Sequence, residues 1–333
     1  TPFADFAAVV TWTAGLAPVS SDTPAANVTP FDRPSSFDEH LDIGLVREKP
    51  VRFGPDNQLF GIFAQPASVP PARIAALLLH EGSSHHIGNG RAYVALARKL
   101  AEAGIVSLRM DISGMGDSLA GSNSRHPYYD PERIADVRAG LDWLESKGFE
   151  RAVSFGLCSG AYSAYHVALQ DARITGFMII NLQKFIFRYG NDISLLIRDS
   201  RRSLKGYMRA ARNPGEWRRA LSGSVDLAAI VRLLLTRFAT KSHNLVLGMF
   251  PPAPGSERMR VREQMLQLDK RSVHGMFIFS DEDPGLSDMW EHFGRKAKRL
   301  ANYSTFRMVV LPQADHQFNG SLARRRYFDL VLK

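Results

Sequence analysis

The sequence predicts an α/β protein built on a mostly parallel, twisted sheet with helices on both faces. Three observations lead to this class. Apolar runs of strand length alternate with segments of helical periodicity, both before residue 184 and after residue 265. One of these runs, Ile74–His80, is continuous, which is typical of a strand buried on both faces. The composition, 45% hydrophobic and 23% charged, is that of an ordinary globular protein and excludes disorder as the main state.

The individual elements follow in a regular order. Two strands, Lys49–Gly54 and Gln58–Ala64, flank a three-residue turn and predict an antiparallel hairpin. The later strands are connected through helices, so we expect them to be parallel, with right-handed crossovers. These strands are Ile74–His80, Ile105–Met110, Ala152–Gly156, Ile174–Ile180, Val273–Ser280 and Thr305–Leu311. The predicted helices are Arg91–Ala103, Pro131–Lys147, Ala161–Gln170, one near Trp290–Leu300 and Leu322–Leu332.

Basic residues are concentrated in one segment. The chain carries 42 Lys and Arg against 33 Asp and Glu, for a net charge of +9, and residues 184–265 alone hold 16 basic and 6 acidic residues. This segment interrupts the strand–helix alternation and has helical character. We therefore predict a basic helical cap over residues 184–265, inserted into a core formed by residues 45–183 and 266–333. Residues 1–44 are predicted to form an N-terminal arm or linker.

Several classes of protein are excluded or disfavoured. A single cysteine cannot form an internal disulfide, and no apolar stretch is long enough to predict a transmembrane helix. Residues 3–19 are apolar like a signal-peptide core, but they lack a basic flank and a clear cleavage site, so we expect a cytoplasmic protein, with secretion as the alternative. We expect no nucleic acid partner, because no zinc-finger, RNP or helix-turn-helix pattern accompanies the basic charge.

The sharpest chemical signal is Gly156-Leu157-Cys158-Ser159-Gly160, which lies between a predicted strand and a predicted helix. A nucleophile elbow needs this context, because its tight turn accepts only small residues two positions on either side of the nucleophile. Cys158 replaces the usual serine. A helix N-terminus and a nearby imidazole both favour the thiolate, which is the nucleophilic form. The alternative is a buried, inert cysteine beside a glycine-rich turn.

Two later loops provide an acid and a base. Asp283 is the third residue beyond the strand Val273–Ser280 and is the preferred partner for a catalytic histidine, with Asp281 as the runner-up. The alternative is an acidic loop that caps the next helix. His316 follows the last strand, in a loop that can reach over the sheet edge. The order nucleophile, acid, histidine is that of α/β hydrolases.

These residues predict a triad of Cys158, Asp283 and His316, in which the thiolate attacks a carbonyl group. The backbone N–H groups of Ser159 and Gly82 are the candidate oxyanion donors. Glu81 is a possible partner of the resting cysteine, although solvent exposure is the preferred interpretation. We expect no cofactor and no metal site, because the chain lacks the HExxH pattern and Cys/His ligand spacing.

From Phe53 onward the chain resembles the α/β-hydrolase superfamily, in particular the exosortase A system-associated hydrolases. The resemblance covers most of residues 50–333. The segments that carry it are IGNGRAYVALARKLAEAGIVSLRMDISGMGDS (Ile87–Ser118), FGLCSGA (Phe155–Ala161), WRRALSGSVDL (Trp217–Leu227) and DHQFNG (Asp315–Gly320). Dienelactone hydrolases are also similar, with a cysteine elbow and a glutamate after the third strand.

The resemblance implies the α/β-hydrolase fold and the same triad and oxyanion donors. Two positions depart from the family pattern. Ser113 stands where many relatives have arginine, and Asn181-Leu182 replaces an expected Asn-Pro after the sixth strand. Both departures leave the triad intact and bear on the choice of substrate.

Three functions are compatible with these residues. The main prediction is a thioesterase or acyltransferase, because an acyl-thioester on Cys158 has nearly the energy of a carrier-protein or coenzyme A thioester. The basic cap would then bind an acidic acyl carrier protein or the phosphates of coenzyme A, although a solvated helical surface explains the charge equally well. The alternatives are an ester or lactone hydrolase, and a non-catalytic binding protein on a hydrolase fold.

Overall fold

The computed structural model describes residues 40–68, 71–82, 84–119, 129, 132–188, 252–281 and 283–331. These residues belong to one compact unit that spans residues 38–333. Residues 1–39 of the predicted arm lie outside the described residues, and so does most of the predicted cap, from residue 189 to residue 251.

The described residues form a nine-stranded sheet with the order β1-β2-β3-β5-β4-β6-β7-β8-β9. Strands β1 to β3 pair antiparallel, β3 also pairs antiparallel with β5, and all later pairs are parallel. The mostly parallel sheet is therefore confirmed. The strands are β1 Leu41–Ile43, β2 Val46–Phe53, β3 Leu59–Pro66, β4 Ile74–Leu79, β5 Val106–Met110, β6 Arg151–Leu157, β7 Ile174–Ile180, β8 His274–Ser280 and β9 Phe306–Leu311.

The sheet begins earlier in the chain than the sequence predicts. Leu41–Ile43 falls in the range predicted as an arm, yet it forms β1 and pairs with β2. The side chain of Arg47 on β2 donates to Asp42 on β1 at 2.9 Å, which links the two strands across the turn. This strand is too short for a hydrophobic pattern to show it.

Six α-helices lie among the described residues: α1 Ala92–Glu102, α2 Glu132–Ser146, α3 Ser159–Gln170, α4 Glu257–Lys270, α5 Gly285–Phe293 and α6 Ser321–Val331. The helix predicted near Trp290–Leu300 is replaced in the structure by two shorter segments. An α-helix ends at Phe293, Gly294 takes a positive φ of 77°, and a 3-10 segment, Arg295–Asn302, follows. Gly294 breaks the helix because a left-handed residue ends the α-helical hydrogen-bond series.

The helix α4 crosses the predicted boundary between cap and core at residue 265. Ser256 caps its N-terminus by accepting a hydrogen bond from the backbone N–H of Met259. Its buried residues Val261, Met265 and Leu268 recur at helical spacing and belong to the main hydrophobic core. The helix therefore packs as part of the core along most of its length.

Two hydrophobic clusters cover the two faces of the sheet. One cluster joins the sheet to α2, α3, α4 and α5, and the other joins it to α1 and α6. The described residues thus form three layers, helix–sheet–helix, as predicted for this class. None of the described helices has the length and apolarity needed to cross a bilayer.

Candidate active site

Cys158 occupies a sharp turn between β6 and α3. Its backbone takes φ 56° and ψ −111°, a conformation that non-glycine residues rarely adopt. Such strain costs about 1–3 kcal/mol and is typical of active sites. The backbone N–H of Cys158 donates to the carbonyl oxygen of Ile180 at 2.9 Å, which ties the turn to β7. The thiol is half-buried at the carboxyl edge of the sheet.

The glycines on either side of this turn are required by close contacts. A Cβ atom on Gly156 would lie 2.1 Å from the carbonyl oxygen of Gly160, and one on Gly160 would lie 2.1 Å from that of Leu79. No side chain fits at either position without a shift of the backbone. The G-x-C-x-G pattern therefore follows from the packing of the elbow against the end of β4.

Asp283 and His316 are in direct contact. The Nδ1 atom of His316 lies 2.5 Å from Oδ2 of Asp283, whose side chain is buried. Asp281, the runner-up, lies at the end of β8, where its backbone N–H donates to Leu311. Of the two candidates, Asp283 is thus the residue that the structure places against the imidazole.

The loop that carries His316 is held by its own hydrogen bonds. Asp315 accepts from the backbone N–H of Asn319 at 2.8 Å and from its side chain at 3.0 Å. The side chain of Asn89, before α1, donates to Gln317 at 2.9 Å and to Asn319 at 2.7 Å. These contacts hold the loop around the imidazole in place.

His316 also interacts with the thiol of Cys158. Burial alone would lower the pKa of His316, but hydrogen bonds with the side chains of Asp283 and Cys158, and their charges, raise it to about 10. Since Nδ1 is engaged by Asp283, Nε2 is the ring nitrogen left for the thiol. The structure therefore brings together all three residues of the predicted triad.

Solved structures of low sequence identity share this architecture. A candidate dienelactone hydrolase from Klebsiella pneumoniae has 14% identity and a TM-score of 0.50, with 86% of this chain and 97% of that chain covered. The chain has the α/β-hydrolase fold. A protein of unknown function from Agrobacterium tumefaciens, a candidate α/β hydrolase, has 17% identity and a TM-score of 0.49 over 85% of this chain and 94% of that one. No family model matches the sequence, and no curated protein matches it significantly.

On this fold, Glu81 follows β4 and interacts electrostatically with His316. The expectation of solvent exposure is wrong, because Glu81 is only 6% exposed. It lines a small cavity with Tyr93 and Tyr327, and its Oε1 atom has no hydrogen-bond partner among the described residues. Burial raises the pKa of Glu81 to about 7, against the opposing effect of His316. Glu81 is therefore partly protonated at neutral pH.

The predicted oxyanion donors lie in the loop after β4 and directly after Cys158. Gly82 directly follows Glu81, and Ser159 is the first residue of α3, where backbone N–H groups lack partners within the helix. His80 organises the first of these loops. Its Nε2 accepts from the N–H of Ile112 at 3.3 Å, so its Nδ1 donates to the carbonyl oxygen of Glu81 at 2.8 Å. Burial and the charge of Arg133 lower the pKa of His80 to about 4, which keeps it neutral.

Within the described part of the chain, His85, His86 and Asp111 place one potential metal-ligating atom each within 4.8 Å of one another. Both carboxylate oxygens of Asp111 are already engaged. Oδ1 accepts from the N–H of His86 at 2.6 Å, and Oδ2 accepts from the N–H of Asp117 at 2.9 Å and contacts Nδ1 of His86 at 2.8 Å. A Cβ on Gly116 would lie 2.2 Å from Oδ2. The carboxylate of Asp111 therefore holds the loop Gly114–Ser118 in place through hydrogen bonds and close packing.

Two residues that sequence reasoning did not single out contact the triad. Tyr129 is buried, its side chain hydrogen-bonds with Cys158, and its ring stacks on Phe187 at 4.5 Å between centroids. The side chain of Gln183 donates to Oδ1 of Asp283 at 2.8 Å. The only nearby sequence signal is the pair Asn181-Leu182, which replaces the expected Asn-Pro directly before Gln183.

Proposed function

We propose that this protein hydrolyses carboxylic esters or lactones through an acyl-thioester on Cys158. The observation that carries the proposal is the strained cysteine at the elbow, opposite the His316–Asp283 pair. The α/β-hydrolase fold supports the same reaction class, since it places a nucleophile at this turn. Fold alone does not determine function, so the argument depends on the site.

The first half of the reaction acylates the enzyme. The thiolate sulfur of Cys158 attacks the carbonyl carbon, and the backbone N–H groups of Gly82 and Ser159 hold the resulting oxyanion. Collapse of this intermediate breaks the bond to the ester oxygen, which takes the proton from Nε2 of His316 and leaves as an alcohol. The acyl group stays on sulfur as a thioester. Asp283 stabilises the imidazolium and fixes the tautomer.

The second half releases the acid. Neutral His316 takes a proton from water, and the hydroxide attacks the thioester carbonyl carbon. The carbon–sulfur bond breaks, Cys158 leaves as thiolate, and the imidazolium is restored. In a lactone, the alcohol and the acid remain parts of one product molecule.

A second candidate, thioester cleavage or acyl transfer, is favoured by the thiol itself. An acyl group on Cys158 exchanges with a carrier-protein or coenzyme A thioester at little cost in free energy. In this version an amine or alcohol replaces water, and an acidic carrier protein or coenzyme A binds the basic segment 184–265.

The experiment compares p-nitrophenyl esters, lactones and acyl-coenzyme A thioesters, with and without added amines or alcohols. Ester or lactone hydrolysis with free acid as the product supports the proposal. Preference for thioesters, or products that carry the added acceptor, supports the second candidate instead. Cys158→Ala should abolish turnover, while Ser163→Ala, one turn further along α3, should retain it. Equal activity of Cys158→Ala and the wild type would overturn both candidates, and no turnover by the wild type would favour a binding protein.

A further inference from the structure

The segment that leaves β7 contacts both loops of the acid–base pair. The side-chain amide of Asn181 donates to the backbone carbonyl oxygen of His316 at 2.7 Å, and its oxygen accepts from the N–H of Ser280 at 2.8 Å. Two residues later, the amide of Gln183 donates to Oδ1 of Asp283 at 2.8 Å. One short segment thus reaches the base loop, the end of β8 and the acid.

The orientation of each amide group is determined by its partners. Asn181 meets one carbonyl oxygen and one N–H, so its nitrogen must face His316 and its oxygen must face Ser280. Gln183 meets two acceptors, Asp283 and the carbonyl oxygen of Asn181 at 2.9 Å, so its nitrogen must face both. Neither amide can be flipped without placing two acceptors in contact.

The backbone of this segment is fixed at both ends. Asn181 is fully buried and takes φ 49°, in the left-handed region that asparagine tolerates better than most residues. At the other end, Lys184 forms an ion pair with Asp288 on α5, whose second oxygen accepts from the N–H of Phe185 at 3.1 Å. Between these ends, the backbone of Leu182 packs closely against the start of α5. A Cβ on Gly285 would lie only 2.1 Å from the carbonyl oxygen of Leu182.

We infer that Asn181 and Gln183 are positioning residues that hold His316 and Asp283 in register with each other. This inference rests on the proposed function, because it assigns a role relative to the triad. Together with the backbone N–H of Gly285, which donates to the same oxygen at 2.8 Å, Gln183 fixes the rotation of the carboxylate of Asp283, so that Oδ2 faces Nδ1 of the imidazole. Asn181 fixes the height of the His316 loop above the sheet. A catalytic group displaced by about 1 Å can cost 100-fold in rate.

The first test substitutes Gln183→Leu, which keeps the volume and removes the donor. We expect kcat to fall about 10- to 100-fold with KM little changed, because the lost contact acts on the chemical step and not on binding. The downfield proton NMR signal of the His316 Nδ1 proton should shift or broaden. Gln264→Leu is the matched control, since that amide contacts Tyr165 and not the triad.

The second test substitutes Asn181→Asp, which keeps the acceptor for Ser280 and the tolerance for a left-handed backbone. The new carboxylate oxygen faces the carbonyl oxygen of His316, so we expect a similar loss of kcat and a changed Nδ1 signal. Because a buried carboxylate can prevent folding, Asn181→Gly serves as the second variant. Glycine keeps the backbone conformation and removes only the side-chain contacts.

The outcomes separate this inference from the proposed function. If the wild type turns over and depends on Cys158, but the Gln183 and Asn181 variants keep wild-type kcat and NMR signals per folded molecule, the inference is wrong and the function stands. If kcat falls while the Nδ1 signal stays unchanged, the residues act only on stability or packing, and the inference is also wrong. If Cys158→Ala keeps full activity, the proposed function itself fails.

Discussion

Replacing Glu81 with glutamine should change how the stability of the protein depends on pH. Burial raises the pKa of Glu81 from 4.5 to about 7. Between these values the folded state holds a proton that the unfolded state releases, so the free energy of unfolding falls as pH rises through this window. One pKa unit corresponds to about 1.4 kcal/mol, so ionised Glu81 costs the folded state about 3 kcal/mol in all.

Glu81→Gln removes this titration and keeps the shape of the side chain. About 2 kcal/mol of the effect should develop between about pH 5 and about pH 7.5. His316 stays protonated in the folded state across this range, and its titration in the unfolded state cancels when the two proteins are compared. The difference in the free energy of unfolding between the variant and the wild type should therefore shift by about 2 kcal/mol in favour of the variant as the pH is raised.

Urea unfolding followed by tryptophan fluorescence at the two pH values measures this difference. Glu102→Gln, at an exposed position on α1, is the control and should track the wild type at both values. A constant difference between Glu81→Gln and the wild type, or one that shrinks as pH rises, would refute the reasoning about Glu81.

Three further predictions test the site. Asp283→Asn should lower kcat by about 1,000- to 10,000-fold in an ester hydrolysis assay, whereas Asp281→Asn should have a much smaller effect; the reverse order would contradict the assignment of the acid. Gly160→Ala should lower the melting temperature measured by calorimetry, since its Cβ would meet the carbonyl oxygen of Leu79 at 2.1 Å. Tyr129→Phe keeps the ring stacking but removes the hydroxyl group at Cys158, so alkylation of Cys158 by iodoacetamide at neutral pH should slow; an unchanged rate would show that this hydroxyl does not support the thiolate.

The sequence predicted those parts of the site that depend on local rules. Cys158 was found because a strand, two glycines and a helix leave little choice for the backbone between them. His316 and Asp283 were found because each follows a parallel strand, and such strands end at one edge of the sheet. The sequence favours Asp283 over Asp281, and the contact of Asp283 with the imidazole is what distinguishes the two residues in the structure.

The other contacts are long-range and leave no local pattern. Gln183 reaches Asp283 across 100 positions of sequence, and nothing in its own neighbourhood distinguishes it from a surface glutamine. The burial of Glu81 depends on α6, whose residue Tyr327 closes the same cavity far along the chain. The helix near residue 294 is a smaller example: periodicity predicts one continuous helix there, whereas Gly294 ends α5.

In the proposed reaction, Cys158 carries the acyl group during turnover. Rapid acid quenching with a p-nitrophenyl ester, followed by mass spectrometry of the intact protein and of its peptides, tests this directly. We predict a mass increase of one acyl group on the peptide that contains Cys158. This increase should be absent in Cys158→Ala. In His316→Gln, the acylated protein should accumulate only if deacylation slows more than acylation. Turnover by the wild type with no acyl group on Cys158 at any quench time would contradict the account.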